Sequence, residues 1–259
     1  MIAALPMYDH SWLHPATDRL WAMIRDRLRA RGIEAPQRLT RDRDIAAVWN
    51  DSGLLLGQTC GYPLWKGLRR KVEVLGAPIY GFAGCEGPNH RSFLVAHRDS
   101  QHTTLAEFRG ERAAVNSFDS NTGMNLFRAA VAPLADGKPF FADVVETGGH
   151  AWSVFAIVEG RADIAAIDCV TYAMLSSGAP QLLAQTKIVG ETAASPALPF
   201  IASRALPAPT RAAVRQVLRE LPPIPELGLT GVAFLPETAY ACIDEFEREA
   251  AEAGYPALA

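Results

Sequence analysis

No run of the 259-residue sequence is long and apolar enough to span a bilayer, and no charged-then-apolar leader precedes the first apolar segment, Ile2-Ala3-Ala4-Leu5. A periplasmic location would therefore require a leader already removed; without one, a cytoplasmic location stands open. Cysteine is sparse: Cys60, Cys85, Cys169 and Cys242 are scattered, with no C-x-x-C pair and no zinc spacing, and three of the four lie in apolar surroundings and read as small core residues. The six histidines include no zinc-protease motif, and His10 and His14, four apart, are not read as a metal site. A net charge of −3 excludes a nucleic-acid role, which needs a basic surface to neutralise phosphates. There is no internal repeat and no low-complexity linker; only Pro222-Pro223-Ile224-Pro225 is dense in proline, as a surface loop would be. Nor is there a compact catalytic constellation. His150 with Ser120 or Ser153 would make a dyad, but no third group is indicated to orient it.

What is present is a strand-turn-helix pattern with an unusual turn. Arg112-Ala113-Ala114-Val115 is short and apolar like a buried strand, and from Met124 the apolar residues Phe127, Ala130, Val131 and Leu134 recur at helical spacing. Between them lies Asn116-Ser117-Phe118-Asp119-Ser120-Asn121-Thr122-Gly123. Such a turn leaves the first helical N–H groups unpaired at the positive end of the helix dipole, so an oxyanion can be held there without lysine or arginine. Ser117, Ser120, Asn121, Thr122 and Gly123 are the candidate residues. The alternative is an ordinary helix cap, since Ser, Asn and Thr are common at that position.

The design recurs at Glu146-Thr147-Gly148-Gly149-His150-Ala151-Trp152-Ser153. Val145 ends an apparent strand, the Gly-Gly pair permits a tight turn, and His150 opens a short helix with Val154, Phe155 and Val158 on its apolar face. His150 could meet an anion as a cation or as a neutral donor. The run Arg161 to Asp168 follows, and Asp168 emerges at the carboxyl end of its strand, the side on which open α/β sheets bind ligands. Asp168 would either pair with a ligand amine or cap the following turn, because a carboxylate buried without a partner is costly. Two further loops follow the strands Ile2–Pro6 and Leu54–Thr59. They carry Tyr8, Thr59 and Tyr62 as further candidate pocket residues, the two tyrosines being otherwise half-buried loop aromatics of the kind common at strand ends.

Strand and helix patterns alternate along the whole chain, and 49% apolar content is enough for substantial cores, in one large domain or two ordinary ones. Leu20, Trp21, Ile24 and Leu28 mark a helix face; Val72–Leu75 and Ser92–Ala96 read as strands, and the second is a candidate crossing. Leu182–Gln185 and Ile188-Val189 are candidates to begin the return, and the tail supplies two amphipathic helices.

Taken in order, Thr104-Leu105-Ala106-Glu107-Phe108-Arg109-Gly110, the Ser120-Asn121-Thr122-Gly123 turn, Gly149-His150 and Gly160 to Asp168 resemble the phosphate/phosphite/phosphonate substrate-binding proteins of ABC importers. The resemblance runs from the first strand to near Tyr255. It implies an α/β, type II periplasmic-binding fold of two α/β lobes joined by two crossing strands, with residues 1–91 and 190–259 in one lobe and 92–189 in the other. It also implies a ligand cleft between the lobes, a turn that grips the anion, a histidine beside it, and tyrosines and an acid that complete the pocket. Two departures from the family's Ser-Thr-Ser-Gly and Gly-Ser-His segments each remove a hydroxyl: Asn121 stands for a Thr and Gly149 for a Ser. The expected function is capture of a small oxyanion, a phosphonate, phosphate ester or related compound, for an ABC permease, by a monomer with no cofactor and no catalytic residue. A cytoplasmic enzyme and a ligand sensor on the same fold are the alternatives.

Overall fold

A computed structural model describes residues 1–259. The chain forms two compact units, one of residues 1–81, 86–89 and 196–240 and one of residues 82–85, 90–195 and 241–259.

In the first unit the strands Ile2–Ala4, Leu54–Gln58, Phe200–Ser203, Val72–Tyr80 and Leu229–Ala233 lie in that order in one sheet. The first two pair in parallel and the remaining neighbours are antiparallel. The Leu54–Gln58 strand is buried on both faces, which is why its apolar residues run continuously instead of alternating. The helix His14–Ala30 lays Leu20, Trp21, Ile24 and Leu28 inward, the 3.6-residue stripe anticipated from the sequence, and packs with the helix Ala208–Arg219. Three features lay beyond the sequence reading. The Val72 strand continues to Tyr80, and the strands Phe200–Ser203 and Leu229–Ala233 complete the sheet.

The second unit is built on the strand order Thr186–Glu191, Ser92–His97, Ile164–Asp168, Arg112–Val115, Asp143–Glu146. The last three run parallel, so their carboxyl ends share one edge. Helices cover the sheet: Val154, Ala156 and Ile157 of the helix His150–Val158 close over Val95, Ala114, Ala165 and Ile167. Burying a side chain of Val or Ile size stabilises the unit by roughly 1.5–3 kcal/mol, so this face alone fixes the helix against the sheet. The return runs through the helix Pro180–Leu183, which Pro180 opens, and the strand Thr186–Glu191; of the two segments proposed to begin it, Ile188-Val189 lies in that strand, while Leu182-Leu183 ends the helix and Ala184-Gln185 form a turn.

The tail differs from the expected division. Residues 241–259, assigned from the sequence to the first lobe, belong to the second unit. The helix Cys242–Glu252 packs on the helix Leu126–Ala135. Beyond it, Arg128 donates to the Pro256 carbonyl at 2.7 Å, and the Phe140 and Phe141 N–H groups donate to the Ala259 carbonyl. An amphipathic pattern shows that a face is buried, not which partner buries it.

Candidate functional site

Three parallel strands of the second unit end at the same edge, and each turns into a helix there. The first turn, after Val115, carries Ser120, Asn121, Thr122 and Gly123, all buried. Ser120 is the cap: its Oγ accepts the Gly123 N–H at 3.0 Å, which leaves its own hydroxyl hydrogen available to a ligand. Gly123 is required by crowding. A Cβ there would lie 1.7 Å from Asn116 Oδ1 and 3.1 Å from His150 Cε1, so any side chain would push both residues out of place.

The second turn brings in His150. Gly148 takes a positive φ of 85°, the conformation the Gly-Gly pair was expected to supply, and Thr147 ties the turn back through its N–H to the Val115 carbonyl. The ring of His150 then reaches across, with Nε2 3.0 Å from Thr122 Oγ1 and Nδ1 3.4 Å from the Asp168 N–H. In the tautomer that accepts at Nδ1, the ring carries its proton on Nε2 and donates to Thr122. The Thr122 hydroxyl hydrogen is thereby left to point at an anion.

The third turn carries Asp168, wholly buried at the end of its strand. Oδ1 accepts the N–H groups of Val170 and Thr171 at 2.9 and 3.0 Å and so caps the helix Cys169–Gly178. Oδ2 lies 3.0 Å from Nδ1 of His90, a residue equally buried. Burial alone would raise the Asp168 pKa, but the His90 charge and the backbone N–H groups outweigh it and hold the carboxyl at about 2. The reciprocal shift is seen in His90: burial opposes its charge, yet the facing carboxylate raises its pKa above the ordinary imidazole range. His90 Nε2 is buried and has no acceptor within the chain. A buried donor on a charged ring, left without an acceptor, is the kind of group that a bound anion satisfies.

Behind these donors is a polar brace. Asn121 Nδ2 donates to Ser195 Oγ at 2.8 Å, Asn125 Nδ2 donates to Asn121 Oδ1 at 3.1 Å, and Arg128 donates to Asn125 Oδ1 at 2.7 Å. Ser92 Oγ donates to the Thr122 carbonyl at 2.9 Å. Asn121 is therefore built into the support of the turn, which accounts for an amide at this position. Ser117 is half-buried on the outer side, and its hydroxyl donates to the Asp119 carboxylate.

The other three residues singled out from the sequence lie in the first unit. Tyr8 is buried edge-on against Tyr80, with ring centroids 5.5 Å apart. Thr59 is wholly buried and donates to the Cys60 carbonyl. Tyr62 is half-buried, with Lys66 Nζ 5.7 Å from its ring centroid. His90, Asn116, Ser92 and Ser195 had not been singled out. A cavity of about 520 Å³ at the opposite, amino-terminal edge of the second sheet is lined by His97, Asp99, His102, Glu111, Glu159 and Asp163, an acidic setting unsuited to an anion.

The model of the periplasmic substrate-binding proteins of phosphonate ABC transporters matches residues 2–227. The chain belongs to this family. Its members bind solutes for importers and are not enzymes, so the enzyme alternative falls away. Solved structures agree on the type II fold. A binding protein component of an ABC phosphonate transporter from Pseudomonas aeruginosa superposes with a TM-score of 0.79 at 14% identity, over 98% of this chain and 87% of that one. PhnD1 from Prochlorococcus marinus, in complex with methylphosphonate, gives 0.73 at 13% identity over 96% and 97%. A Xanthomonas citri protein bound to ATP gives 0.69 at 16% identity over 97% of both chains. A comparison with curated proteins by sequence finds no match.

Proposed function

We propose that this solute-binding protein takes the phosphonate or phosphate head of its ligand at the edge where Val115, Glu146 and Asp168 end their strands. Ser120, Thr122, the amides of their turn and His90 supply the donors. The observation that carries the reading is the pair of buried hydroxyls on Ser120 and Thr122, each with its oxygen engaged inside the unit and its hydrogen left to a ligand. The charge of the head is met by His90 and by helix N-termini rather than by lysine or arginine. Asp168 then acts through His90, keeping that ring charged, and does not meet the ligand itself. The neighbouring structure with methylphosphonate makes a small alkylphosphonate the first ligand to try. In this reading the loaded protein works as a monomer in the periplasm and delivers its cargo to an ABC permease.

The test is a calorimetric titration of methylphosphonate into wild type and His90→Gln at pH about 6 and about 9. With its pKa raised, His90 stays charged at the lower pH and loses its proton as the pH climbs through the raised value, so wild-type affinity falls with rising pH. Both proteins share the ligand's own titration, so the difference between them isolates His90. The expected result is an affinity lower by about tenfold in His90→Gln at the lower pH, with the gap narrowing as the pH climbs through the raised His90 value. Equal affinities at both pH values would remove His90 from the site.

A further inference from the structure

The sulfurs of Cys85 and Cys169 lie 3.5 Å apart in the second unit, although 84 positions separate them in the chain. Cys169 is wholly buried as the first residue of the helix Cys169–Gly178, and its N–H donates to the Arg91 carbonyl at 3.0 Å. Cys85 is half-buried, in a short strand Cys85–Glu86, with its N–H on the Phe82 carbonyl. The backbone of both residues is thus held in place, and the sulfurs need to approach by only about 1.5 Å to reach the length of a disulfide. Cys60 lies in the first unit, and Cys242 lies half-buried on the C-terminal helix.

We infer that Cys85 and Cys169 close into an intramolecular disulfide when a disulfide oxidant, oxidised glutathione or an oxidised dithiol protein, is present. The half-buried Cys85 makes the first attack. Its thiolate is the favoured one, because the hydrogen bond from Cys169 lowers its pKa while the same contact and burial push that of Cys169 up. Cys85 Sγ attacks one sulfur of the oxidant, breaking its S–S bond, expelling one thiolate and forming a mixed disulfide. Cys169 Sγ then attacks the Cys85 sulfur and expels the second thiolate. Two protons and two electrons pass to the oxidant, which leaves as two thiols. The new bond ties the helix capped by Asp168, in which Cys169 is the next residue after that carboxylate, to the short strand Cys85–Glu86 that precedes the Ser92–His97 strand.

The experiment equilibrates the native, full-length protein with oxidised glutathione, removes the oxidant, and then counts thiols and maps peptides without reduction. The four free thiols of the reduced protein should fall to two, with a mass loss of about 2 Da located in one peptide pair containing Cys85 and Cys169. The melting midpoint should rise by several degrees and return on reduction. Cys85→Ser, at the half-exposed position, should keep all three of its remaining thiols through the same treatment; it serves as the control if Cys169→Ser folds poorly. Four thiols persisting in the oxidised wild type, a bond mapped to Cys60 or Cys242, or an equal thiol loss in Cys85→Ser would overturn the inference.

Discussion

Replacing Ser120 and Thr122 together by alanine is expected to weaken methylphosphonate binding by about a hundred- to a thousandfold. A hydrogen bond to a charged group contributes on the order of 1.5–3 kcal/mol, and the two hydroxyls face one anion, so their losses combine less than additively. The variant also removes the acceptor for the Gly123 N–H, a helix cap whose loss costs about 1 kcal/mol of stability. Thermal melting alongside the calorimetry separates the two effects: the fold persists while affinity collapses. Ser117→Ala supplies the contrast, because that hydroxyl is engaged by Asp119 on the outer side of the turn. Its affinity should stay within about twofold of wild type. An unchanged affinity in the double variant would remove the turn from the binding account.

The largest effect on stability is expected at Asp168. Removing one partner of a buried ion pair costs about 3–5 kcal/mol, because the other charge is left without compensation. Asp168→Ala also strips the acceptor from the N–H groups of Val170 and Thr171. Its melting midpoint should fall by roughly 10 °C or more, and Asp168→Asn, which keeps an acceptor for the cap, should lose less. The pH dependence follows from the sign of the shift. A carboxyl held at about 2, below its ordinary 3.8, contributes stability that is fully present above the ordinary value and is lost as the pH falls toward 2. That acid-side slope should be shallower in both variants. The sequence also allowed Asp168 to meet a ligand amine, and the two roles separate cleanly. An intact melting midpoint with a lost preference for aminoalkyl phosphonates would favour the amine contact over the cap and ion pair.

The three strand-turn-helix crossings were legible because their signals are local. Four- or five-residue apolar runs end in Val115 and Asp168, a cap residue or glycine follows, and the helical stripe begins at once. Ser120, Thr122 and His150 were singled out this way, and the structure brings Thr122 and His150 within 3.0 Å. His90 was not, because nothing beside it in the chain marks it; its interest comes from Asp168, a partner far along the sequence that only the sheet places next to it. Asn121 illustrates the converse. It read as a donor for the anion, and its side chain is spent on Ser195 and Asn125. The cysteines follow the same logic as His90: their scattered spacing marks no pair, only Cys169 of the four is fully buried, and the meeting of Cys85 with Cys169 depends on how the Ser92–His97 and Ile164–Asp168 strands pair. The tail helix showed its apolar face through Ile243, while the surface that receives it, around Asn125 and Arg128, is a tertiary fact.

The most direct test of the central claim is a crystal structure of the protein grown with methylphosphonate. The phosphonate oxygens should lie within about 3 Å of Ser120 Oγ, Thr122 Oγ1, an amide of their turn and His90 Nε2, with Asp168 still on the Val170 and Thr171 N–H groups. Phosphonate density placed away from the Ser120–Gly123 turn, with those hydroxyls still pointing at no ligand, would contradict the account.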